Sequence, residues 1–348
     1  MIPKADGSKR PLGISTIRDR VAQMAVKLVI EPIFEADFCD SSYGFRPKKS
    51  APDAVHDIGY GLNCGYTDVI DADVSQYFDS IPHAKLLAVV AERIVDGGIL
   101  HIIRMWLKAP VVGEDEDGTR RNIGGGKANT QGTPQGGVIS PLLANRYLHL
   151  LDRLWKPQDL QRRLEARLVR YADDQVILID GYRKWDWLAR AAYKRLLEEL
   201  TKLDVRINIE KTRIVDLTRD ESFSFLGFDL CRRKTWQGKW GVRITPRIKA
   251  RSALLSKLKE VFRRFVSQPV GRVIELINPI LRGWVNYFRV GHSSRCFSYV
   301  RDWVEKKIRR YLMRARNRKG FGWNRWSRGW MYQSLGLYSD YQVRYFRS

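Results

Sequence analysis

Leu168-Val169-Arg170-Tyr171-Ala172-Asp173-Asp174-Gln175-Val176-Ile177-Leu178-Ile179 joins two short β-prone runs through a polar pair, the pattern of an antiparallel hairpin with both carboxylates at its tip. About a hundred residues earlier, Val69-Ile70-Asp71-Ala72-Asp73-Val74 reads as a further strand. Side chains alternate across a strand, so Asp71 and Asp73 share one face while Ala72 and Val74 share the other. One of those acids can therefore reach the hairpin tip across a sheet. An isolated Asp-Asp reads as a solvated turn, since Asp is a favoured turn residue; the apolar strand after it and the acidic strand upstream favour a shared site instead. Hard cations such as Mg²⁺ take oxygen ligands and enter phosphate chemistry on only one or two protein carboxylates. Two such ions about 3.5–4 Å apart can clamp the attacking and leaving oxygens of an in-line phosphoryl displacement.

The chain of 348 residues, 44% hydrophobic, is long enough for two or three domains with real cores. It has no apolar run long enough to span a bilayer, and Met1-Ile2-Pro3-Lys4 opens without a secretory pattern. Cys39, Cys64, Cys231 and Cys296 show no Cys-x-x-Cys spacing, which argues against a structural zinc site and for free thiols in a reducing cytoplasm. His83, after Ile81-Pro82, reads as a turn or cap residue rather than a metal ligand.

Charge is placed unevenly. Residues 232–348 hold 29 Lys and Arg against 5 Asp and Glu, whereas residues 1–231 hold 33 of each, so the whole net charge of +24 belongs to the last third. Such a balance marks a polyanion-binding region, because neutralising phosphates releases condensed counterions. Seven of the eleven tryptophans also lie there, interleaved with arginine in Gly322-Trp323-Asn324-Arg325-Trp326-Ser327-Arg328-Gly329-Trp330. They read either as stacking faces for single-stranded bases or as a helical core beneath a solvated basic face.

The pattern between these landmarks is coarse but legible. Ala22 to Phe38 is amphipathic, with Met24, Leu28 and Ile33 at helical spacing, and Leu188 to Leu203 carries one apolar stripe. Gly113 to Thr133, rich in Gly and charge, predicts a loop or hairpin. After Pro246 two helical stretches follow, one with Leu254, Leu258 and Phe262 and one with Ile277, Leu281, Trp284 and Phe288.

Taken together, these segments resemble reverse transcriptases, and more narrowly the reverse transcriptase/maturase proteins of group II introns. The resemblance rests on Tyr171-Ala172-Asp173-Asp174, on Asp73 through Asp79, and on Thr133-Pro134-Gln135-Gly136-Gly137-Val138-Ile139-Ser140-Pro141-Leu142-Leu143-Ala144-Asn145. Ile2-Pro3-Lys4, Arg10-Pro11-Leu12-Gly13-Ile14, Ser42-Tyr43-Gly44-Phe45-Arg46-Pro47, Glu210-Lys211-Thr212, Phe225-Leu226-Gly227-Phe228 and Arg282-Gly283-Trp284-Val285-Asn286-Tyr287-Phe288 extend it over nearly the whole chain. It implies an α+β, right-hand polymerase fold: partial fingers in 1–65, a palm with an antiparallel sheet in 66–231, and a basic, all-helical thumb or maturase region in 232–348. Family members carry a further segment before Ile2-Pro3-Lys4, and some an endonuclease region after the thumb, so the resemblance also implies a chain short at both ends.

The resemblance assigns roles. Asp73, Asp173 and Asp174 would hold two Mg²⁺ ions, with Mn²⁺ a possible substitute, while Asp71 and Asp79 would be structural. Phe78 would pack under the sugar of the incoming nucleotide and exclude a ribose 2′-oxygen. Gln135, ahead of glycines that let backbone approach a ligand, would lie against nucleotide and template. Lys4 and Arg10 would meet the triphosphate, and Lys211 would donate a proton to pyrophosphate. Gly227 would pass close to the primer, and Arg282, Trp284, Arg325 and Arg328 would contact nucleic acid. The implied activity is RNA-directed DNA synthesis from dNTPs onto a DNA primer, with binding of intron RNA that assists splicing and retrohoming. A different class remains open: a non-polymerising RNA-binding splicing cofactor. Retrons, diversity-generating elements and CRISPR-linked systems also use reverse transcriptases, but the Gln135 segment and the Arg282-to-Phe288 box favour the intron type.

Overall fold

Side-chain alternation decides the first sheet. In β3 (Asp68–Asp73), Ile70 and Ala72 turn inward and are buried, while Asp71 and Asp73 turn the other way. In chain order the remaining strands are β1 (Ile2–Pro3), β2 (Lys9–Arg10), β4 (Val111–Glu114), β5 (Arg120–Gly124), β6 (Ala166–Tyr171), β7 (Asp174–Ile179), β8 (Arg213–Asp216), β9 (Ser222–Phe225), β10 (Phe228–Lys234) and β11 (Trp240–Pro246). The helices are α1 (Ile17–Glu35), α2 (Ala51–Asn63), α3 (Tyr77–Ser80), α4 (His83–Ala91), α5 (Gly97–Leu107), α6 (Ser140–Leu154), α7 (Asp186–Lys202), α8 (Ile248–Arg264), α9 (Val270–Phe288), α10 (Ser294–Arg314) and α11 (Arg328–Gln333). This computed structural model describes residues 2–3, 9–10, 13–114, 117, 119–155, 166–182 and 186–344. Contacts gather into two units: Met1–Ser50 with Cys64–Asp216, and Ala51–Asn63 with Leu217–Ser348.

The first unit is built on an antiparallel sheet of order β6-β7-β3-β8. One face is covered by helices: Ile70, Ala72, Leu168, Ile177 and Ile179 share a core with Leu86 and Val90 of α4, Leu143, Tyr147 and Leu151 of α6, and Ala192 and Leu196 of α7. Each fully buried aliphatic side chain there contributes roughly 1.5–3 kcal/mol. The Gly113-to-Thr133 stretch, expected to be a loop or hairpin, overlaps a hairpin that starts two residues earlier, β4 paired with β5. Helix α1 forms as its spacing predicts but buries a different stripe, since Gln23, Ile30 and Phe34 point inward while Met24 and Leu28 are exposed. Gln23 is drawn inside because its amide oxygen accepts the Val138 N–H at 2.8 Å.

In the second unit β9, β10 and β11 form an antiparallel meander. Leu226 and Gly227, both at positive φ (47° and 81°), close the β9–β10 hairpin, the two-residue geometry that matches strand twist. The helices begin at Ile248; residues 228–234 and 240–246 before them pair as strands, because Phe228, Leu230, Val242 and Ile244 alternate inward. Helix α9 buries Ile274, Ile277, Leu281 and Val285, and α2 packs on β11 with Gly59 so close that a Cβ there would lie 2.8 Å from Ile244 Cδ1. Among the described residues no helix is long and apolar enough to cross a membrane, and none of the four cysteines forms a disulfide.

Candidate active site

The hairpin read from sequence is present: β6 and β7 pair in register and turn at Ala172-Asp173, with Ala172 at φ 57°. Asp174 is the first residue of β7 rather than part of the turn, and it stands directly opposite Asp73 of β3. Directly opposed residues project from the same side of a sheet. Asp73 and Asp174 therefore project from the face opposite the α4, α6 and α7 core, at its hairpin end, and Asp173 adjoins them in the turn. Asp73 is held at its backbone, where its N–H donates to Thr212 Oγ1 at 3.2 Å and its carbonyl accepts from Asn208 N–H at 2.8 Å. Lys211 follows from the same loop, with Nζ 3.4 Å from Asp73 Oδ2. Asp71 instead pairs with Arg213 at 3.4 Å.

A second group of predicted residues is laced together beside α3. Phe78 packs half-buried against the core and edge-on to Tyr77, with ring centroids 5.7 Å apart. Its carbonyl accepts the Thr133 N–H at 2.7 Å, and the Gln135 amide donates to Asp79 Oδ2 at 2.9 Å. The Gln135 carbonyl accepts from Gly13 N–H at 2.7 Å. Tyr77 is anchored beneath by donating to Ala144 O at 2.6 Å, and burial pushes its phenol well above the ordinary range. His83 is the first residue of α4, after the Pro82 N-cap, and its Nε2 lies 2.7 Å from Gly132 O rather than capping the helix. Lys4 lies outside the described residues, as does the side chain of Arg10, whose backbone sits in β2.

The donor chemistry fits a divalent cation. Among the described residues no three His, Cys, Asp or Glu groups come together as a set that could hold a metal ion by themselves; what the fold offers is the cross-strand pair Asp73 and Asp174, with Asp173 in the adjoining turn. Mg²⁺ in phosphate chemistry is held by one or two carboxylates, with phosphate and water oxygens as the rest of its shell. Lys211 would have to yield Asp73 Oδ2 to such an ion.

The residues that hold this site were not singled out in the sequence. Arg170 is fully buried, and its guanidinium donates to both Asp152 oxygens at 2.7 and 2.5 Å, to Asn145 Oδ1 at 3.0 Å, to Ser42 Oγ at 2.7 Å and to the Ala172 carbonyl at 2.9 Å. Three motifs thus meet at one cation: Ser42, Asn145 and the Asp173 turn. Asn145 also donates to Gly44 O at 2.5 Å. Gly44 lies so close to the turn that a Cβ would fall 2.3 Å from Ala172 N. One sequence signal for Arg170 existed: alternation puts it on the inward face with Leu168, where a charge survives only if paired.

The residues expected to meet nucleic acid divide. Gly227 tops its hairpin over Tyr287, which donates to Leu226 O at 2.9 Å, and over Phe288, whose ring would be 3.4 Å from a Cβ there. Arg282 and Arg325 are exposed. Trp284 packs against Phe288 and Phe297, with centroids 4.7 and 5.9 Å away and its indole nitrogen buried. Arg328 is clamped by Glu305 at 2.8 Å and Asp302 at 2.6 Å. The Trp-rich stretch stacks largely on itself: Trp326 meets Trp330 at 4.6 Å, and Arg316 lies 4.5 Å over Trp326.

Comparison with known proteins bears on this geometry. Residues 2–230 match the reverse transcriptase (RNA-dependent DNA polymerase) family, and residues 251–329 match the group II intron, maturase-specific domain. Protein YkfC of Escherichia coli (strain K12) is 35% identical over 283 residues, covering 72% of this chain and 71% of that protein. Group II intron-encoded protein LtrA of Lactococcus lactis subsp. cremoris is 27% identical, covering 86% of this chain and 61% of its own length. The solved structure of apo telomerase from Candida Tropicalis aligns with 87% of this chain and 55% of its own at 13% identity and a TM-score of 0.47.

Proposed function

We infer, because the chain belongs to the reverse transcriptase family and carries a group II intron maturase-specific domain, that it synthesises DNA on an RNA template and binds intron RNA to assist splicing and retrohoming. The observation that carries the reading is the direct pairing of Asp73 with Asp174 across β3 and β7, beside Asp173 in the turn. In this reading residues 1–65 serve as fingers, 66–231 as palm and 232–348 as thumb.

Asp73, Asp173 and Asp174 would supply the oxygens for two Mg²⁺ or Mn²⁺ ions. When bound, such ions polarise the α-phosphate, favour the ionised primer 3′-hydroxyl and offset charge on the departing pyrophosphate. Lys211, 3.4 Å from Asp73, would pass a proton to that leaving group. Lys4 and Arg10 would balance triphosphate charge. Phe78, fixed through its carbonyl to Thr133, would close the space a ribose 2′-hydroxyl needs, so dNTPs are preferred and Phe78→Ala admits ribonucleotides. Gln135 would line the nucleotide and template, Gly227 the primer. Arg282 and Arg325 would meet phosphates, whereas Trp284 and Arg328 would act by holding the helices that present them.

Primer extension on an RNA template with dNTPs and Mg²⁺ tests this. Asp173→Ala is expected to lower extension about a thousandfold, several kcal/mol of charge stabilisation. Wild-type protein that binds RNA tightly yet never extends a primer would favour the alternative, a splicing cofactor without polymerase activity, for which the basic last third already speaks.

A further inference from the structure

The second unit holds a cleft of about 410 Å³ between α8 and α10 that the reading above does not use. Its walls carry Lys259, Arg263, Lys307, Arg310 and Arg314, and its floor is Phe262, Tyr311 and the exposed Val266. None of its nine lining residues is acidic. The opposite face of α10 is neutralised, since Arg309 and Glu305 are buried together at 3.5 Å and Arg328 closes on the same carboxylate. The cationic side chains are braced by rings: Lys307 lies 5.2 Å over Trp303 and Arg310 lies 5.0 Å over Phe321. Tyr311 is fixed by donating to the carbonyls of Phe265, at 2.8 Å, and Gln268. Burial, with Lys259, Arg310 and Arg314 nearby, pulls the Lys307 amine below its usual range, so an anion entering the cleft relieves existing repulsion.

A duplex backbone needs only an exposed basic surface, whereas a recess with an apolar floor suits a base that has left its stack. Sequence-selective RNA recognition works through such unstacked bases, held on apolar and guanidinium faces. We propose that this cleft is a subsite for one nucleotide extruded from structured RNA, its base on the Phe262, Tyr311 and Val266 floor and its phosphates on the cationic walls. The proposal rests on the RNA-binding reading and names where within the basic unit a particular nucleotide is read.

The test uses the full chain and two fluorescein-labelled RNA hairpins, one fully paired and one with a single unpaired adenosine in the stem. Anisotropy titrations should give about tenfold tighter binding of the bulged hairpin, the scale of one stacked base. Lys307→Gln combined with Arg310→Gln should erase that preference. Val266→Glu should erase it too, at an exposed position that perturbs no core. Equal wild-type affinity for the two hairpins, or a preference that survives in either folded variant, overturns the subsite. Tight, salt-sensitive binding without preference would sink the subsite alone; binding to neither hairpin would sink the RNA-binding reading with it.

Discussion

In the first unit arginine is buried against carboxylate. Arg170 meets Asp152 at 2.5 Å, Arg146 meets Glu92 at 2.9 Å and Arg46 meets Glu35 at 2.6 Å. Arginine lies over aromatic rings more often in the second unit than in the first, as Arg251 does 4.4 Å from Tyr299 and Arg316 4.5 Å from Trp326. Pairing cancels charge and fixes geometry, whereas stacking on a ring orients a guanidinium while leaving its charge in place. One unit therefore uses arginine to hold a turn carrying acids, and the other keeps its charge available for a polyanion.

The sharpest way to break that contrast is to remove one arginine from each unit. Arg170→Ala leaves Asp152 buried without its partner and should cost about 3–5 kcal/mol of stability. Arg316→Ala, at an exposed side chain over Trp326, should cost about 1 kcal/mol or less. Urea denaturation measures both, and equal losses would erase the distinction.

Gly44→Ala addresses geometry alone. The added Cβ must displace the Ala172-Asp173 turn, and a shift of about 1 Å at a reacting centre costs about a hundredfold in rate. Primer extension should fall accordingly while RNA affinity holds; unchanged extension would mean the turn needs no such seat.

Burial in the first unit should also appear as a pH effect. Desolvation lowers the His149 pKa to about 4, against the pull of Asp152. An unfolded imidazole titrates near 6.5, so as pH falls the unfolded chain takes up the proton first. Stability should decline from about pH 6.5 towards 4, and His149→Gln should flatten that decline in denaturation curves collected across the window.

The smallest effect concerns the second unit. Neutralising Lys249, Lys257 and Arg264 should reduce the salt slope of RNA binding by about 0.7–0.9 for each phosphate that no longer meets a cation. Removing the exposed Arg104, Arg153 and Arg190 of the first unit should leave the slope unchanged. Equal flattening by both sets would spread the binding surface over the whole chain.

Local patterns carried well from sequence to structure. The hairpin at Asp173, the opposite faces of Asp73 and Ala72, the β4–β5 hairpin and the stripe of α8 all follow from period and turn chemistry within a few residues. What escaped depends on partners far away in the chain. Arg170 needs Asp152, Asn145 and Ser42 before its burial makes sense, and Gly44 reveals its purpose only against Ala172. The inward face of α1 is set by a hydrogen bond from Val138 to Gln23, which periodicity cannot anticipate. Trp284 and Arg328 look like contact residues in sequence because aromatic and basic types suit RNA; their packing neighbours take up the ring and the charge.

Helix α2 has a practical consequence for anyone dissecting the chain. It belongs by its contacts with β11 and α9 to the second unit, yet it is threaded between two stretches of the first. The polypeptide therefore passes between units at residues 50–51, 63–64 and 216–217, and no single cut yields two intact pieces. A fragment ending at Asp216 would strip Val55, Ile58 and Leu62 of their cover, and an amino-terminal expression clone should be insoluble unless that helix is excised or its missing half is co-produced.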